Sequence, residues 1–476
     1  MNGQDKFNRF VEKYPHSHTP FYRRPHATRR QFFQLLGAGV SGAMLLRPSL
    51  RKGAVNITNS PVNMQNKAKN VIFIQLLGAP SHTDLFDFKM SPSTPASLQP
   101  ETINGVDWPT GLLPKLAGQL PNIALVRSVN AWALVHSLAQ TWAQIGRNPA
   151  AALGNIAPNI GSVVALEKEP ERTPSQVFPP FLGLNASTQA GAGYFSAAYA
   201  PFKFTPNNGN PTAGLPNTTN AVGQNRINDR YVLMHSLDDN LRLNSPLGTP
   251  VSDYENFYEA AKGLMYNPVV NKAFQFSASD AARYGNTSFG ASCLIAKQVL
   301  AANQGTRYIE ISLGSWDMHT NIYSPAAGSL AAMSKQLDDG VSALLGDLKA
   351  SGQLDSTLVV LMGEFGRTVG KVTPAGGRDH WLQMTVAFAG AGIKGGRAIG
   401  ATDSAGADTV DFGWSRQRYV KPEDIEATIY SAMGINWTNV RYDDPFGRGF
   451  EYVPFSGDDL YGPIDELWPD SGITNA

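Results

Sequence analysis

The sequence predicts an α/β fold in which a mostly parallel central sheet is flanked by helices. Two observations carry this prediction: apolar runs of strand length, and amphipathic helical segments that alternate with them. Strands of a parallel sheet read as continuous apolar runs because helices cover both faces. The chain has 476 residues, of which 42% are hydrophobic, so it can bury a large core as one big domain or two smaller ones.

Five continuous apolar runs are the predicted strands. The first, NVIFIQLLGAP, begins at Asn70 and ends in Gly-Ala-Pro, which predicts a turn out of the sheet. The other four are NIALVRS (122–128), TRYIEISL (306–313), STLVVLMGE (356–364) and MTVAFAG (384–390). All five suit buried strands of a parallel sheet.

Amphipathic helices are predicted between and after these strands. In SLAAMSKQLDDGVSALLGDLKASG, apolar residues recur at spacings of three and four, and Gly352 ends the pattern. The apolar face consists of Leu330, Met333, Leu337, Val341, Leu344 and Leu348. In KPEDIEATIYSAMGIN, Pro422 suits the first helical position and Gly434 suits the end. The buried face of this second helix is Ile425, Ile429 and Met433.

The N-terminus carries a twin-arginine pair. Arg29 and Arg30 precede two phenylalanines and an apolar stretch to Leu46, which is too short to span a bilayer comfortably. This layout predicts an export signal of the twin-arginine (Tat) type over residues 1–47, and the alternative is a buried amphipathic helix. We therefore expect a periplasmic or extracellular protein with no transmembrane segment beyond the signal.

The remaining chain divides into a linker and one α/β domain. Residues 48–69 are polar and lack a hydrophobic period, which predicts a linker. Residues 70–476 carry the alternating strands and helices. Within them, residues from about 200 to 290 open with a loop rich in Pro, Asn and Gly and then read as helical, which predicts an insertion or cap on the sheet.

Charge and cysteine content exclude several classes of protein. The formal net charge is +1, so the sequence has no electrostatic footprint for nucleic acid. Cys293 is the one cysteine, so no intramolecular disulfide can form. It lies in FGASCLIAKQVLAANQG, which predicts a helix, and a small buried apolar role is favoured over a catalytic thiol. The sequence leaves the oligomeric state open.

Polar side chains collect where the predicted strands end. In open α/β sheets, ligands bind beyond the carboxyl ends of the strands. In strand order these side chains are His82 and Asp84, then His136 and Ser137, then Asp317 and His319, then Glu364 and Arg367, and finally Arg378, Asp379 and His380 before the fifth strand. Asp317 and His319 are two residues apart, so on an extended chain they point to the same side.

Such clusters indicate either a metal site or a set of hydrogen-bonded loops. Mixed sets of His and carboxylates suit zinc, manganese or iron. The arginines could hold an anionic group, because the guanidinium fork matches phosphate or sulfate. Asp379 stands beside His380 and could orient that ring rather than bind a metal.

The motifs GAPSHTDLFD, FGASCLIAKQVLAA, SWDMHTN, GEFGRT and GRDHW, in this order, resemble an exported bacterial family, domain-of-unknown-function family 1501. That family is related to the alkaline phosphatase/sulfatase superfamily. The resemblance covers nearly the whole chain, from the twin-arginine signal to EDIEATIYSAMGI. It implies a three-layer, alkaline-phosphatase-like α/β fold, a metal site at the carboxyl edge of the sheet, and hydrolysis of phosphate or sulfate esters.

The resemblance also implies which residues hold metal. In the superfamily one metal is held by an Asp and two His, and the residues that resemble this set are Asp317, His319 and His380. A second metal is held by an early Asp, the nucleophile and an Asp-His pair. Asp84 could be the early Asp, whereas the pair is replaced by Glu364 and Phe365, so one imidazole is missing. Glu364 and Asp84 would complete or flank the metal site.

The nucleophile departs from the superfamily pattern. QIGRNP resembles the superfamily stretch Leu-Thr-Gly-Arg-x-Pro, and counting back from it reaches His136, with Ser137 next. His136 is at the matching position but is not the usual Ser, Thr or modified Cys, and Ser137 stands one position beyond it. Both side chains can act as nucleophiles. Ser137 could instead cap the following helix. Arg367 or Arg378 would steady the anion.

Two functions remain open from the sequence. The first is an exported metal-dependent hydrolase-like protein that acts on a small anionic ester or glycan, with a divalent metal such as Zn, Mn or Ca. The second is a catalytically inactive member of the superfamily that binds an anionic glycan or a protein partner. The Asp317, His319 and His380 set favours the first, and the missing imidazole beside Glu364 favours the second.

Overall fold

The computed structural model describes residues 62–187, 190–207, 214–242, 260–326 and 328–469, together with positions 9, 57–58 and 258. The predicted export signal and most of the predicted linker lie outside these residues, as do parts of the predicted insertion. Among the described residues, no helix is both long and apolar enough to cross a membrane.

A large mixed sheet forms the centre of the described chain. Its eight described strands are β1 (Asn70–Leu76), β2 (Ile123–Asn130), β3 (Phe181–Leu184), β4 (Phe202–Phe204), β5 (Tyr308–Leu313), β6 (Thr357–Met362), β7 (Gln383–Ala389) and β8 (Arg397–Ile399). Their order across the sheet is β8-β2-β7-β6-β1-β5-β3-β4. The five predicted strands are all present, and β3, β4 and β8 are additional short strands.

One strand of this sheet, β7, runs antiparallel to both of its neighbours, while the other pairings are parallel. The sequence predicted a parallel strand here. The difference follows from the connection, because a parallel pairing needs a crossover, usually a helix, and the segment 363–382, all of which the structure describes, contains no helix. The segment between β6 and β7 instead folds into a short antiparallel pair, Gly366–Arg367 with His380–Trp381. The first residue of β7 therefore lies at the edge where the parallel strands end.

Helices lie on both faces of the sheet. The helices with bounds in the described part of the chain are α1 (Pro114–Ala117), α2 (His136–Ile145), α3 (Ile160–Lys168), α4 (Gln224–Arg242), α5 (Pro268–Phe274), α6 (Ala278–Arg283), α7 (Ser288–Ala302), α8 (Leu330–Ala350) and α9 (Pro422–Ala432). Smaller pairs join Pro100–Ile103 to Val106–Pro109 and Ala401–Thr402 to Thr409–Asp411, and Val440–Arg441 pairs with both Ile57–Thr58 and Phe450–Glu451.

The core is divided by the sheet into two apolar layers, which gives the three-layer α/β architecture. On one side α7 and α8 pack against alternate residues of β1, such as Ile72 and Ile74. On the other side α2, α3 and α9 pack against Val71 and Phe73. The alternation of β1 residues between the layers is the two-residue period of a strand with both faces covered.

The two long predicted helices form as expected, with one difference. The predicted apolar face of α8 is buried throughout, and Gly352 just beyond it has a φ of +71°, a conformation that favours glycine. Helix α9 is buried on every side rather than on one face. Buried polar residues of this helix have internal partners: Glu423, for example, accepts hydrogen bonds from the indole nitrogens of Trp132 and Trp142 at 2.9 and 3.0 Å, and Oε1 of Glu426 accepts one from the hydroxyl of Tyr430 at 2.9 Å.

Candidate metal centre

Four side chains meet beyond the carboxyl edge of the sheet. His136 is the first residue of α2, which follows β2. Asp317 and His319 lie in the loop after β5, and His380 lies in the short strand that leads into β7. These segments are distant in sequence, and the parallel strands with the reversed β7 bring them to one edge.

The inward-facing atoms of this cluster are three imidazole Nε2 atoms and one carboxylate oxygen. They all lie within 4.8 Å of one another. The Nε2 of His380 is 3.1 Å from that of His136 and 3.2 Å from that of His319. The Oδ1 of Asp317 lies 3.2 Å from His136 Nε2, 2.9 Å from His319 Nε2 and 3.7 Å from His380 Nε2.

Five of the six separations between these donors are close to those around a tetrahedral metal ion. Ligands about 2.0–2.1 Å from a zinc ion stand about 3.3 Å apart at the corners of a tetrahedron. The five separations above surround that value, and the sixth, between Nε2 of His136 and Nε2 of His319, lies within 4.8 Å. The donor set of imidazoles and one carboxylate also suits zinc or a similar divalent ion.

Each histidine is held by its outer ring nitrogen. The Nδ1 of His136 lies 2.7 Å from Oε1 of Glu364, and that of His319 lies 2.9 Å from Oδ1 of Asp379. The Nδ1 of His380 lies 2.8 Å from the carbonyl of Leu134. Since each of these partners accepts a hydrogen bond, we assign the proton to Nδ1 and a lone pair to Nε2.

This assignment places three lone pairs and a carboxylate oxygen around one point. Such an arrangement is repulsive by itself and is stabilised by a cation. It is also the arrangement of metal-binding histidines, which donate their second ring N–H to a carboxylate or carbonyl. The cluster therefore meets both the distance and the donor requirements of a metal site.

The floor of the centre is apolar. Phe365 is buried and its ring lies 4.8 Å from that of His136 and 4.7 Å from that of His380. Phe365 packs against two ligand rings and presents no donor atom to the centre. The structure therefore gives this position a packing contact and no ligand.

Glu364 flanks the centre and is not one of its four inward donors. Its Oε1 accepts hydrogen bonds from the backbone N–H of Gly78 at 2.8 Å and from Gln140 Nε2 at 3.0 Å, in addition to that from His136. The side chain is fully buried. Glu364 thus holds His136 in place through Nδ1.

Asp84 and Arg378 lie apart from the four-residue cluster and pair with each other. The Nε of Arg378 donates to Oδ2 of Asp84 at 2.7 Å, and the hydroxyl of Tyr323 donates to the other oxygen at 2.7 Å. All three side chains are at least partly buried, and the ion pair is almost fully so. The predicted early metal ligand is thus neutralised by a predicted anion-binding arginine.

Arg367 does reach the centre. It is only 1% exposed, and its Nη2 donates to Oδ1 of Asp317 at 2.5 Å while its Nη1 faces Nε2 of His319 at 3.3 Å. Ser137 is exposed in the first turn of α2, beside His136 but not facing it, because consecutive helical residues point in different directions.

The environment shifts the pKa values of the ligands. Burial alone would raise the pKa of Asp317, but the hydrogen bond and charge of Arg367 outweigh it, so the pKa is lowered. The hydrogen bond to Glu364 raises the pKa of His136. Burial lowers the pKa of His380, and the positive charge of Arg367 adds to this shift. The shifts of Asp317 and His380 favour the ionised carboxylate and the neutral imidazole, which are the forms that bind metal, whereas the raised pKa of His136 favours a proton that a metal ion would have to displace.

Sequence reasoning gave two of these residues different roles. His136 was predicted as a nucleophile, but both of its ring nitrogens are engaged, one in the cluster and one with Glu364. Asp379 was expected to orient the ring of His380, and its carboxylate contacts Nδ1 of His319 instead. The only sequence signal for His136 as a ligand is its place after a strand end, which it shares with His319, whereas His380 stands before a strand.

Fold and site together define an α/β protein with a candidate His₃Asp metal centre at the carboxyl edge of its sheet. The chain belongs to the family described as "Protein of unknown function (DUF1501)", whose pattern matches residues 68–459. No curated protein matches the sequence.

Solved structures with a similar course of the chain come from the alkaline phosphatase/sulfatase superfamily. They include the lipoteichoic acid synthase LtaP from Listeria monocytogenes, at 14% identity and TM-score 0.36, covering 80% of this chain and 76% of that one. The PsFucS1 sulfatase from Pseudoalteromonas sp. has 11% identity, TM-score 0.36 and coverages of 78% and 68%. A mutant of TAB5 alkaline phosphatase with bound Mg has 14% identity, TM-score 0.34 and coverages of 79% and 100%.

Proposed function

We propose that this protein is an exported hydrolase-like protein that uses one divalent metal ion to act on phosphate or sulfate esters. The observation that carries the proposal is the convergence of three Nε2 atoms and one carboxylate oxygen, each imidazole being held through its Nδ1. We infer that His136, His319, His380 and Asp317 hold the ion.

A bound divalent ion would supply Lewis acidity, which polarises an ester oxygen and lowers the pKa of a bound water. The protein would supply the rest. Glu364, Asp379 and the Leu134 carbonyl fix the imidazole rings, so the donors need no reorganisation. The four ligand side chains are between 24% and 45% exposed to solvent, so a substrate can reach the centre.

The attacking group in this proposal is water rather than His136. A histidine whose two ring nitrogens are both engaged has no free lone pair with which to accept a phosphoryl group. Ser137 is exposed one residue further along the helix. It remains a candidate nucleophile, and replacing it separates the two routes.

A second function is favoured by a specific observation. The number of protein donors is four, which is enough to fill the shell of a tetrahedral ion as in structural metal sites, whereas catalytic zinc sites keep one position open. Asp84 and Arg378, which could complete a second half-site, neutralise each other. Both features support an inactive superfamily member that binds an anionic glycan or a protein partner.

Metal analysis with an ester assay tests the proposal. Purified protein should contain one equivalent of divalent metal per chain and hydrolyse aryl phosphate or aryl sulfate esters. His319→Ala should lose both, whereas Ser137→Ala should keep the metal and, if water attacks, the turnover. A protein that keeps one metal ion during treatment with a chelator but hydrolyses neither ester would support the second function. A protein without metal would refute the first.

Export through the Tat pathway is part of the proposal and rests on the twin-arginine layout of residues 1–47. Replacing both Arg29 and Arg30 by Lys should keep the protein in the cytoplasm of a Tat-competent host. Fractionation of cells that express the wild type and the double variant measures this. Equal distribution of the two proteins would contradict export by this route.

A further inference from the structure

The guanidinium of Arg367 has an acceptor for each of its five N–H groups. Nε donates to the Ala79 carbonyl at 2.9 Å. Nη1 donates to the Arg378 carbonyl at 3.1 Å and to His319 Nε2 at 3.3 Å. Nη2 donates to Asp317 Oδ1 at 2.5 Å and also to the Gly78 carbonyl. Two of these five acceptors, His319 and Asp317, are donors of the candidate metal centre. An arginine so fully satisfied has no N–H left for a substrate.

Arg378 provides an internal contrast. It is equally buried, and its five N–H groups also all have acceptors. These are the two oxygens of Asp84, the hydroxyl of Tyr323 and the carbonyls of Thr368 and Gly370. None of them belongs to the metal centre, so metal binding leaves every hydrogen bond of Arg378 in place.

The lone pair on Nε2 of His319 can bind either of two partners, the N–H of Arg367 or a metal ion. It accepts a hydrogen bond from Arg367 Nη1, and it is one of the four donors of the centre. A lone pair that is bound to a metal ion can no longer accept a hydrogen bond. Metal binding therefore releases one N–H of Arg367, which already points toward the centre.

We propose that Arg367 is a metal-gated oxyanion donor. Without metal its Nη1–H is held by His319, and with metal the same N–H donates to an oxygen of a phosphate or sulfate group at the centre. The fixed fork of a guanidinium suits a tetrahedral oxyanion, and a hydrogen bond from a charged donor is stronger than a neutral one. This inference rests on the proposed function and adds to it an order of events, in which the anion site forms after the metal site.

Gating of this kind makes metal and anion binding cooperative. By thermodynamic linkage, the factor by which metal raises anion affinity equals the factor by which the anion raises metal affinity. A hydrogen bond to a charged group corresponds to about ten- to hundredfold in affinity, and this is the contribution assigned to Arg367. Direct attraction between the metal and the anion adds to it and does not depend on Arg367.

Calorimetric titration of the full chain with sulfate, with and without Zn²⁺, tests the inference. The wild type should bind sulfate only when loaded with zinc. Arg367→Lys keeps a positive charge that can pair with Asp317 but lacks the fork. We expect this variant to keep its zinc content and to lose about ten- to hundredfold in sulfate affinity. Equal sulfate affinity in the zinc-loaded wild type and variant would overturn the inference and leave the proposed metal centre intact.

A measurement on the wild type covers the case in which Arg367→Lys does not fold. Sulfate should raise zinc affinity by about tenfold or more, whereas chloride at the same ionic strength, which cannot bridge a metal and a guanidinium, should raise it about twofold or less. Equal effects of the two anions would overturn the inference. A wild-type chain that binds no zinc would overturn both the inference and the proposed function.

Discussion

The three histidines of the centre share one orientation but have different partners. The Nδ1 of His136 is held by a buried carboxylate, that of His319 by an exposed one, and that of His380 by a backbone carbonyl. Because the outer partner sets both ring orientation and ligand basicity, the three imidazoles are not equivalent ligands. Asp379 is the partner that can be replaced with least disturbance to the core, since its side chain is 63% exposed.

Asp379→Ala should weaken metal binding without unfolding the protein. Loss of the carboxylate frees the ring of His319 to rotate, and loss of such a partner typically costs about 10–100-fold in metal affinity. Zinc titration against a competing chelator measures the change. Asp355→Ala removes an exposed carboxylate just before β6, at the edge of the sheet opposite the centre, and is the matched control. Equal zinc affinities in the two variants would contradict the assigned role of Asp379.

Residue identity could be predicted from the sequence better than residue role. The spacing of Asp317 and His319, and the position of His380 before a strand, indicated these residues correctly as members of one cluster. The direction of the His136 ring and the pairing of Asp84 with Arg378 could not be predicted. The latter two residues are 294 positions apart, and their contact depends on how two loops fold over the sheet edge.

At the level of elements, the centre depends on the close contact of the loops after β1 and β5. Gly78 has a φ of +99°, and a Cβ built there would lie 2.5 Å from the backbone nitrogen of Asp317. Its own N–H donates to Glu364 and its carbonyl accepts from Arg367. One glycine therefore joins the three loops that carry the candidate ligands and their partners.

Gly78→Ala should both destabilise the fold and loosen the metal centre. Residues held at positive φ cost roughly 1–3 kcal/mol, and the contact with the Asp317 backbone adds to this. Chemical denaturation gives the free energy of unfolding, and chelator competition gives the metal affinity. Gly457→Ala is the control, because Gly457 has ordinary φ and no atom within 4 Å of its Cβ position. Equal losses in both variants would refute the role given to Gly78.

The elements themselves were largely predictable, and the exceptions have a physical cause. Long apolar runs and the period of α8 predicted five strands and the long helices, because burial on both faces leaves a strong pattern. The strands β3, β4 and β8 have only four, three and three residues, too few to show a period. The reversal of β7 depends on a connection whose short hairpin leaves no apolar pattern.

Across the whole molecule, a buried polar network links the sheet to the helix that carries His136. Glu310, in the middle of β5, accepts hydrogen bonds from Gln144 of α2 and Asn159 before α3, both at 3.2 Å. Gln144 also donates to Gln75 of β1 at 2.9 Å. Burial raises the pKa of Glu310 from 4.5 to about 8. A neutral carboxyl in this position stabilises the fold, and an ionised one does not.

The contribution of Glu310 to the stability of the fold should therefore be lost as pH rises from about 4.5 to about 8. The folded state holds the Glu310 proton more tightly than the unfolded chain does. The contribution of this proton to the free energy of unfolding is therefore complete below pH 4.5 and is lost as pH rises to the folded-state pKa of about 8. Glu310→Gln keeps the shape and cannot ionise. Thermal unfolding at pH 6 and pH 9 should show a smaller loss of stability for this variant than for the wild type. Identical losses would contradict the assignment.

We expect four side chains from three separate segments to bind one metal ion. Anomalous X-ray diffraction from crystals of zinc-loaded protein tests this expectation most directly. We predict one zinc peak per chain, about 2.0–2.2 Å from Nε2 of His136, His319 and His380 and from a carboxylate oxygen of Asp317. No peak at this point, or a zinc ion bound without these histidines, would contradict the account.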